Sequence, residues 1–365
     1  MKITFPYMGS PYMYEKLFSL LGHEVITPPR PSQRTINYGV KYSPEFACFP
    51  LKVILGTYLE ALELGADTIV TSGGNGPCRA GYYGEAQKKI LKNMGYDVEF
   101  IIFDEPKRDL KTFLENVKKI KVNNSWRQVI KTVKTVYDMA KSMDKVEKII
   151  ETKRAYECNK GEFTKAWHEI TEEYRKIESS EDVKRVEKKA IERLNSIKIC
   201  EVPEEEKIRI GIVGEIYVVM EPSINGNIEE VLNAYGAEVE RSHYISEWID
   251  FNLIPLPSYK EKEHQILKKG EEYIEIIIGG HAKQSVGAII DFMERGFDGV
   301  IHLKPFGCLP ELVSQSVIDK IMREYDYPIL SLSVDEQMAI ANVLTRIEAF
   351  LDVIKLKKHR KRIAR

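Results

Sequence analysis

The stretch TIVTSGGNGPC, Thr68–Cys78, decides the fold. Thr68–Thr71 is β-branched, apolar and free of charge, the composition of a strand buried on both faces. The run Gly73-Gly74-Asn75-Gly76-Pro77 after it cannot continue a strand and reads as a loop. Upstream, Leu51, Ile54, Leu55, Leu59 and Leu62 recur at helical spacing across Leu51–Leu64, and Gly65 ends that helix. Downstream, Glu85–Met94 has helical character up to Gly95, and Val98–Phe103 is again a strand. Further upstream lie a short apolar start at Ile3–Phe5, a helix over Tyr14–Leu21 closed by Gly22, and a strand at Glu24–Thr27. Strand, helix, strand with glycine at the helix ends implies a parallel sheet with crossover helices.

The same grammar returns near the other end of the chain. Ile208–Val213, Glu238–Arg241, Gly299–Leu303 and Pro328–Leu332 read as strands. Asn227–Ala234, Gln284–Glu294 and residues 335–354 read as helices. Asn225 or Asn227 suits the cap of the first of these, and Asp335 the cap of the last. Between the two α/β regions, residues 107–198 contain no proline and one glycine, Gly161, and are dense in Lys and Glu. Leu110, Phe113, Leu114, Val117 and Ile120 give that stretch helical spacing without sustained heptads, so it reads as amphipathic helices rather than a coiled coil. The expected fold class is α/β: two doubly wound lobes with parallel sheets joined by a helical segment. The expected domains are residues 1–106, a helical segment and linker at 107–207, a second lobe at 208–334, and a helix with a basic tail at 335–365. The lobes share a theme, but no clean repeat is visible.

Composition narrows the function. The chain has 365 residues, of which 43% are hydrophobic and 30% charged, enough to build sizeable cores. Lys and Arg total 54 against 55 Asp and Glu. This balance argues against a nucleic-acid partner, and the basic tail from Lys355 reads as a solvated helix end. No apolar run approaches the roughly 20 residues of a membrane span, and no signal segment opens the sequence. The expected location is the cytoplasm. In a reducing compartment, cysteines serve as buried thiols, metal ligands or catalytic groups rather than cystines.

The five cysteines therefore carry the functional question. Three sit in Pro/Gly-dressed loops: EFACFP around Cys48, GGNGPCRAG around Cys78 and KPFGCLPE around Cys308. Cys78 and Cys308 each follow a predicted strand, where open α/β sheets bind ligands. Cys48 precedes a helix, whose positive end favours a thiolate. Proline excludes water beside an iron–sulfur cluster, and glycine lets backbone N–H groups approach the sulfides. Three thiolates on a cubane leave one iron open to water or another ligand. Cys158 and Cys200 lack this dress and read as packing residues. Zinc is the rival metal, with His302 or His281 completing a Cys₃His set. The spacing alone leaves cluster, zinc and a metal-free two-lobed protein binding a small ligand all open.

The glycine run after Thr71 lacks the Gly-Lys-Ser/Thr ending of a P-loop. Gly211 and Gly214, before Glu215, read as a tight strand-to-loop turn, with approach to a ligand as the alternative.

These motifs together resemble a known family. Glu45-x-x-Cys48-x-Pro50-Leu51-Lys52, Gly-Pro-Cys78-Arg-x-Gly81-Tyr82, Glu221-Pro-x-Ile-Asn225, Lys304-Pro305-Phe-Gly307-Cys308-x-Pro310-Glu311, Asp335-Glu336-Gln337 and Thr345-Arg346-x-Glu348-Ala-Phe350 are similar to acyl-CoA dehydratase activase-related proteins. These stand close to the 2-hydroxyacyl-CoA dehydratase subunits and the double-cubane cluster proteins. The resemblance implies an iron–sulfur cluster held by three cysteines between two lobes, here Cys48, Cys78 and Cys308. With no further ligand motif, it implies a single [4Fe–4S] cluster rather than a double cubane. It also implies electron transfer at low potential from an ATP-dependent activase of actin-like fold, anaerobic chemistry, and a homologous second subunit or a homodimer. Arg79 and Lys304, beside ligand cysteines, would offset the cluster's charge. A CoA-binding signature is not found, so the substrate, and whether the chain is catalytic or relays electrons, stay open.

Overall fold

The computed structural model describes residues 1–74, 78–104, 106, 109–254, 256–276 and 278–363, without the side chains of Ile340 and Lys361. Asn75, Gly76 and Pro77 of the Cys78 loop lie outside the described residues, as does Lys107 at the expected domain boundary. The chain forms two compact units. The first comprises Met1–Ile150, Gly161–Ile197 and Ile245–Pro255, and the second Glu151–Lys160, Lys198–Tyr244 and Leu256–Arg365.

In the first unit, β1 (Lys2–Thr4), β2 (Glu24–Val25), β3 (Thr68–Ser72) and β4 (Glu99–Phe103) form a parallel sheet in the order β2-β1-β3-β4. Helices α1 (Tyr12–Leu20), α2 (Gln33–Tyr42), α3 (Phe49–Glu63) and α4 (Tyr83–Asn93) connect these strands. Thr68, Ile69, Val70 and Thr71 are all buried, as their uncharged run requires. Ile3, Phe5, Phe18, Val70 and Ile101 pack on one another, and Leu55, Tyr58, Leu59, Ile69 and Leu91 form a second core. Then follow α5 (Leu110–Lys121), α6 (Trp126–Lys153), α7 (Glu162–Tyr174) and α8 (Ser180–Asn195). Met139, Met143, Phe163, Tyr174 and Leu194 give α6, α7 and α8 a core of their own, so the Lys/Glu-rich stretch is a packed helical layer.

In the second unit, β5 (Ile208–Gly214), β6 (Ala237–Arg241), β7 (Gly299–Pro305) and β8 (Ile329–Val334) form a parallel sheet in the order β6-β5-β7-β8. Its helices are α9 (Ile216–Met220), α10 (Pro222–Asn225), α11 (Ile228–Ala234), then, after α12 (Ile245–Asn252) of the first unit, α13 (Glu261–Glu271), α14 (Ala282–Glu294), α15 (Leu309–Tyr325) and α16 (Ile340–Ile363). The α/β class with parallel sheets is as expected. Several helices were not anticipated, notably α2 and α13, whose apolar faces are short and interrupted by glycine. Asn227 is the N-cap of α11 without a side-chain cap bond, and Asn225 Oδ1, from the end of α10, accepts from the Ile228 N–H at 3.3 Å instead.

The two sheets have the same strand order, and the units prove to be repeats, which corrects the expectation of none. Gly39, Lys52, Gly56, Gly65 and Asp67 recur at one constant offset as Gly270, Lys283, Gly287, Gly296 and Asp298. Each match has the same physical task. A Cβ on Gly56 would stand 2.0 Å from the Thr35 carbonyl oxygen, and one on Gly287 2.0 Å from that of Ile266. Gly39 and Gly270 make the reciprocal approaches, to the carbonyls of Lys52 and Lys283. The backbones of α2 and α3, and of α13 and α14, therefore touch where only glycine fits. Asp67 accepts from the Lys2 N–H at 2.8 Å, and Asp298 from the Arg209 N–H at 2.9 Å, each clamping the start of the neighbouring strand. The repeat is hard to see because nearly every other matched position differs.

A second correction concerns Cys158 and Cys200. They form a disulfide rather than packing as separate thiols. An isolated antiparallel bridge pairs Glu157 with Ile199, with Cys158 N–H donating to Lys198 and Cys200 N–H to Tyr156 at 3.1 and 2.7 Å. This register leaves the two Cα atoms 5.3 Å apart, a bridging distance.

Candidate functional site

Doubly wound sheets present their ligand sites beyond the carboxyl ends of the strands, where the strand order reverses. That point falls between β1 and β3 in the first unit and between β5 and β7 in the second. Cys78 follows β3, and Cys308 follows β7.

In the first unit, Cys48 is the N-cap of α3 and is buried, with Pro50 in the first turn. Cys78 is the N-cap of the short turn Arg79–Tyr82 and is partly exposed. Neither carries a disulfide. Contacts among the described residues tie their loops together. The Arg79 guanidinium donates to the carbonyl of Phe46 at 2.8 Å, and the Cys48 sulfur meets the Tyr83 hydroxyl. Arg79 therefore has a structural partner as well as an exposed surface.

In the second unit, Cys308 is the N-cap of α15 and is buried, again with proline in the first turn. It too carries no disulfide. All three loop cysteines thus cap a helical N-terminus with extended backbone, where the unsatisfied N–H groups favour a thiolate.

The second unit holds further polar groups, among them the histidines weighed as zinc ligands, whose environment the sequence did not show. His302 and Glu311 are completely buried. His302 Nε2 lies 2.8 Å from Glu311 Oε2 and its Nδ1 lies 3.0 Å from the Ser331 hydroxyl. Ser285 donates to the other Glu311 oxygen at 3.1 Å. Both ring nitrogens of His302 are engaged, so it is a structural histidine and offers no lone pair to zinc. Glu215 caps α9, accepting from the N–H groups of Tyr217 and Val218 at 3.0 and 3.2 Å. Burial pushes its pKa up to about 7 against those two hydrogen bonds, with the nearby Glu311 charge adding to the rise. Burial, helped by the neighbouring His243, pushes His281 down to about 3, against the Glu311 charge. The rings of His243 and His281 stand 4.7 Å apart, and His243 Nε2 is 3.0 Å from the Gly214 carbonyl. Gly214 itself is required: its φ is +138°, and a Cβ would meet the Leu303 carbonyl oxygen at 1.9 Å. Glu311 and Glu215 were visible only as parts of short motifs, because burial, not sequence, makes them unusual.

Among the described residues, no three His, Cys, Asp or Glu side chains are grouped as ligands for one ion, and no helix is long and apolar enough to cross a membrane. Residues 12–354 match the family model described as 2-hydroxyglutaryl-CoA dehydratase, D-component. No curated protein matches the chain.

Proposed function

The chain belongs to the 2-hydroxyglutaryl-CoA dehydratase D-component family, and from that premise we propose that it is an iron–sulfur component of a 2-hydroxyacyl-CoA dehydratase system. Cys48 and Cys78 of the first unit and Cys308 of the second would hold a [4Fe–4S] cluster. The observation that supports this reading is the division of the cysteines. The two that lack Gly/Pro loops are joined to each other, while the three loop cysteines carry no disulfide and each cap a helical N-terminus at a strand-end loop or a helix entry. The donor chemistry fits: sulfur ligands suit iron–sulfur clusters, and helix N-terminal N–H groups offset the thiolate charge.

When bound, the cluster would supply one-electron chemistry at low potential, with electrons delivered by an ATP-dependent activase. The residues of this chain do the rest. Pro50 and Pro310 fix the backbone beside Cys48 and Cys308. The Arg79–Phe46 contact holds the two ligand loops of the first unit in register, and the Arg79 charge raises the potential of a nearby anionic group. Glu215 and the Glu311–His302 pair place proton-bearing groups at the strand ends of the second unit. A homologous second subunit or a second copy of the chain completes the system.

Anaerobic purification followed by iron and sulfide analysis and electron paramagnetic resonance tests this. The expected result is a brown protein with about four irons per chain. Replacement of Cys48, Cys78 or Cys308 by alanine each lowers the iron, and Cys158→Ala does not. A colourless protein with stoichiometric zinc overturns the reading.

A further inference from the structure

We propose that His302 and Glu311 are positioning residues for Cys308, a buried hydrogen-bonded pair that fixes the first turn of α15 and so the direction in which Cys308 presents its sulfur. The proposal takes Cys308 as a cluster ligand from the reading above and adds to it the two residues that hold the ligand in place.

The connection from the pair to the thiol is continuous. Cys308 is the N-cap of α15, and Glu311 is the third residue of that helix. An acid at this position ordinarily reaches back to the N-cap N–H. Here the Cys308 N–H donates instead to the Pro305 carbonyl at 3.1 Å, and Glu311 turns inward, completely buried. One of its carboxyl oxygens lies 2.8 Å from His302 Nε2, and the other accepts from the Ser285 hydroxyl at 3.1 Å. His302 Nδ1 is 3.0 Å from the Ser331 hydroxyl, and the Ser331 carbonyl accepts from Arg346 at 2.8 Å. One chain of contacts thus ties the first turn of α15 to α14, β7, β8 and α16. Further along the helix, Ser314 donates to the carbonyl of Ala282, the first residue of α14, at 3.3 Å. On the loop side, the Phe306 N–H donates to the Val334 carbonyl at 2.9 Å. Leu309 and Leu312 are exposed, so the turn is held from its inner face, by Pro310 and Glu311.

Such a pair supplies direction more than stability. A carboxyl and an imidazole withdrawn from water regain in mutual attraction roughly what they lose in hydration, and apolar residues of similar volume would bury as well or better. Apolar side chains fix no angle. A network that engages both carboxyl oxygens and both ring nitrogens admits one arrangement. The repeat shows the pair to be particular to this cysteine. At the constant offset, His302 and Ser285 stand where the first unit has Thr71 and Ile54. There the turn after Cys78 is gripped through the exposed Arg79–Phe46 bond instead. For a bound cluster the consequence is electronic. Tilting this turn moves the backbone N–H groups at the open end of α15 relative to the Cys308 sulfur, and hydrogen bonds to ligand sulfurs tune the potential.

The double variant His302→Leu, Glu311→Met, made in the full chain, fills the same space without the hydrogen bonds. Its urea midpoint should equal or exceed that of the wild type. Iron release to a chelator should nevertheless quicken about tenfold, the worth of one buried hydrogen bond. The electron paramagnetic resonance signal of the reduced cluster should shift. Glu311→Gln, which keeps an acceptor for Ser285 and a polar partner for His302, should restore the wild-type release rate and signal. On the metal-free chain, alkylation of the buried Cys308 by iodoacetamide, read by peptide mass, should quicken about tenfold in the double variant, with Cys78 unchanged as the internal control. A double variant that matches the wild type in iron release, signal and Cys308 alkylation overturns the positioning role and leaves the cluster reading standing. One that fails to fold overturns it too, since the pair then serves stability. A wild type that takes up no iron overturns the cluster reading, and the alkylation contrast alone then decides whether the pair holds Cys308.

Discussion

The guanidinium of Arg79 lies 2.8 Å from the carbonyl oxygen of Phe46, so the residue after Cys78 grips the residue two before Cys48. This exposed hydrogen bond spans 33 residues of sequence at the base of two proposed ligand loops.

Arg79→Ala should therefore separate stability from metal retention. The lost bond is worth about 0.5–1.5 kcal/mol, a shift of a few degrees at most in a chain of this size. Iron per chain, measured after anaerobic gel filtration, should fall below that of the wild type. Arg79→Lys, which keeps the charge but not the fork, should fall between the two.

The Cys158–Cys200 disulfide closes a loop that holds α7 and α8, with a sequence separation of 42. The chain-entropy model assigns such a closure about 4 kcal/mol. Cys200→Ser should lower the urea midpoint of the non-reduced protein accordingly. A strong dithiol should bring the wild type to the same midpoint and leave the variant unmoved.

Gly56 and Gly287 should fail in parallel. Either alanine variant drives a Cβ into a backbone carbonyl that cannot rotate away. Overpacking of this kind costs about 1–3 kcal/mol, and the upper end is expected because the helix pair must move apart. Gly65→Ala and Gly296→Ala meet no neighbouring atom and should show only the strain of positive φ. Denaturant unfolding of the four variants measures the contrast.

Arg241 is buried between Glu151 at 3.1 Å and Glu229 at 3.4 Å. Arg241→Met leaves two carboxylates without their cation, which costs about 3–5 kcal/mol. Replacing Glu151 by Gln in the same chain should recover part of that loss, a non-additivity that a double-mutant cycle reads directly.

Glu215 makes stability fall as pH rises. Its folded pKa is about 7 against an ordinary value of 4.5, so between these values the folded state binds more protons than the unfolded state. Stability is intact below the lower value and is lost progressively up to the higher, by about 3 kcal/mol. Glu215→Gln should gain on the wild type between pH 5 and pH 8. His281 has the opposite sign: lowered to about 3 from 6.5, it costs stability as pH falls through that interval. His281→Gln should therefore be the more acid-resistant protein. Chemical denaturation at several pH values checks both slopes.

The strands, several of the crossover helices and the loop setting of three cysteines were legible in the sequence because each has a local signature. β3 is an uncharged β-branched run, α3 has apolar residues at helical spacing, and Cys48, Cys78 and Cys308 sit in glycine- and proline-dressed loops. Backbone preference and hydrophobic periodicity act over a few residues, so a linear reading captures them. The repeat was hidden because Gly39, Gly56 and Asp67 and their matches serve a helix–helix contact and a strand clamp, tasks that exist only between distant segments. The Cys158–Cys200 disulfide depended on a β-bridge bringing two far segments into register. Glu215, His281, His302 and Glu311 are ordinary letters in the chain. Tertiary structure alone made them unusual, because withdrawal from water moves a proton affinity and strands a ring nitrogen without a partner. The chain's own order thus determined the two α/β lobes and the thiols at their strand ends and helix entries, and burial decided which of the remaining polar groups can do chemistry.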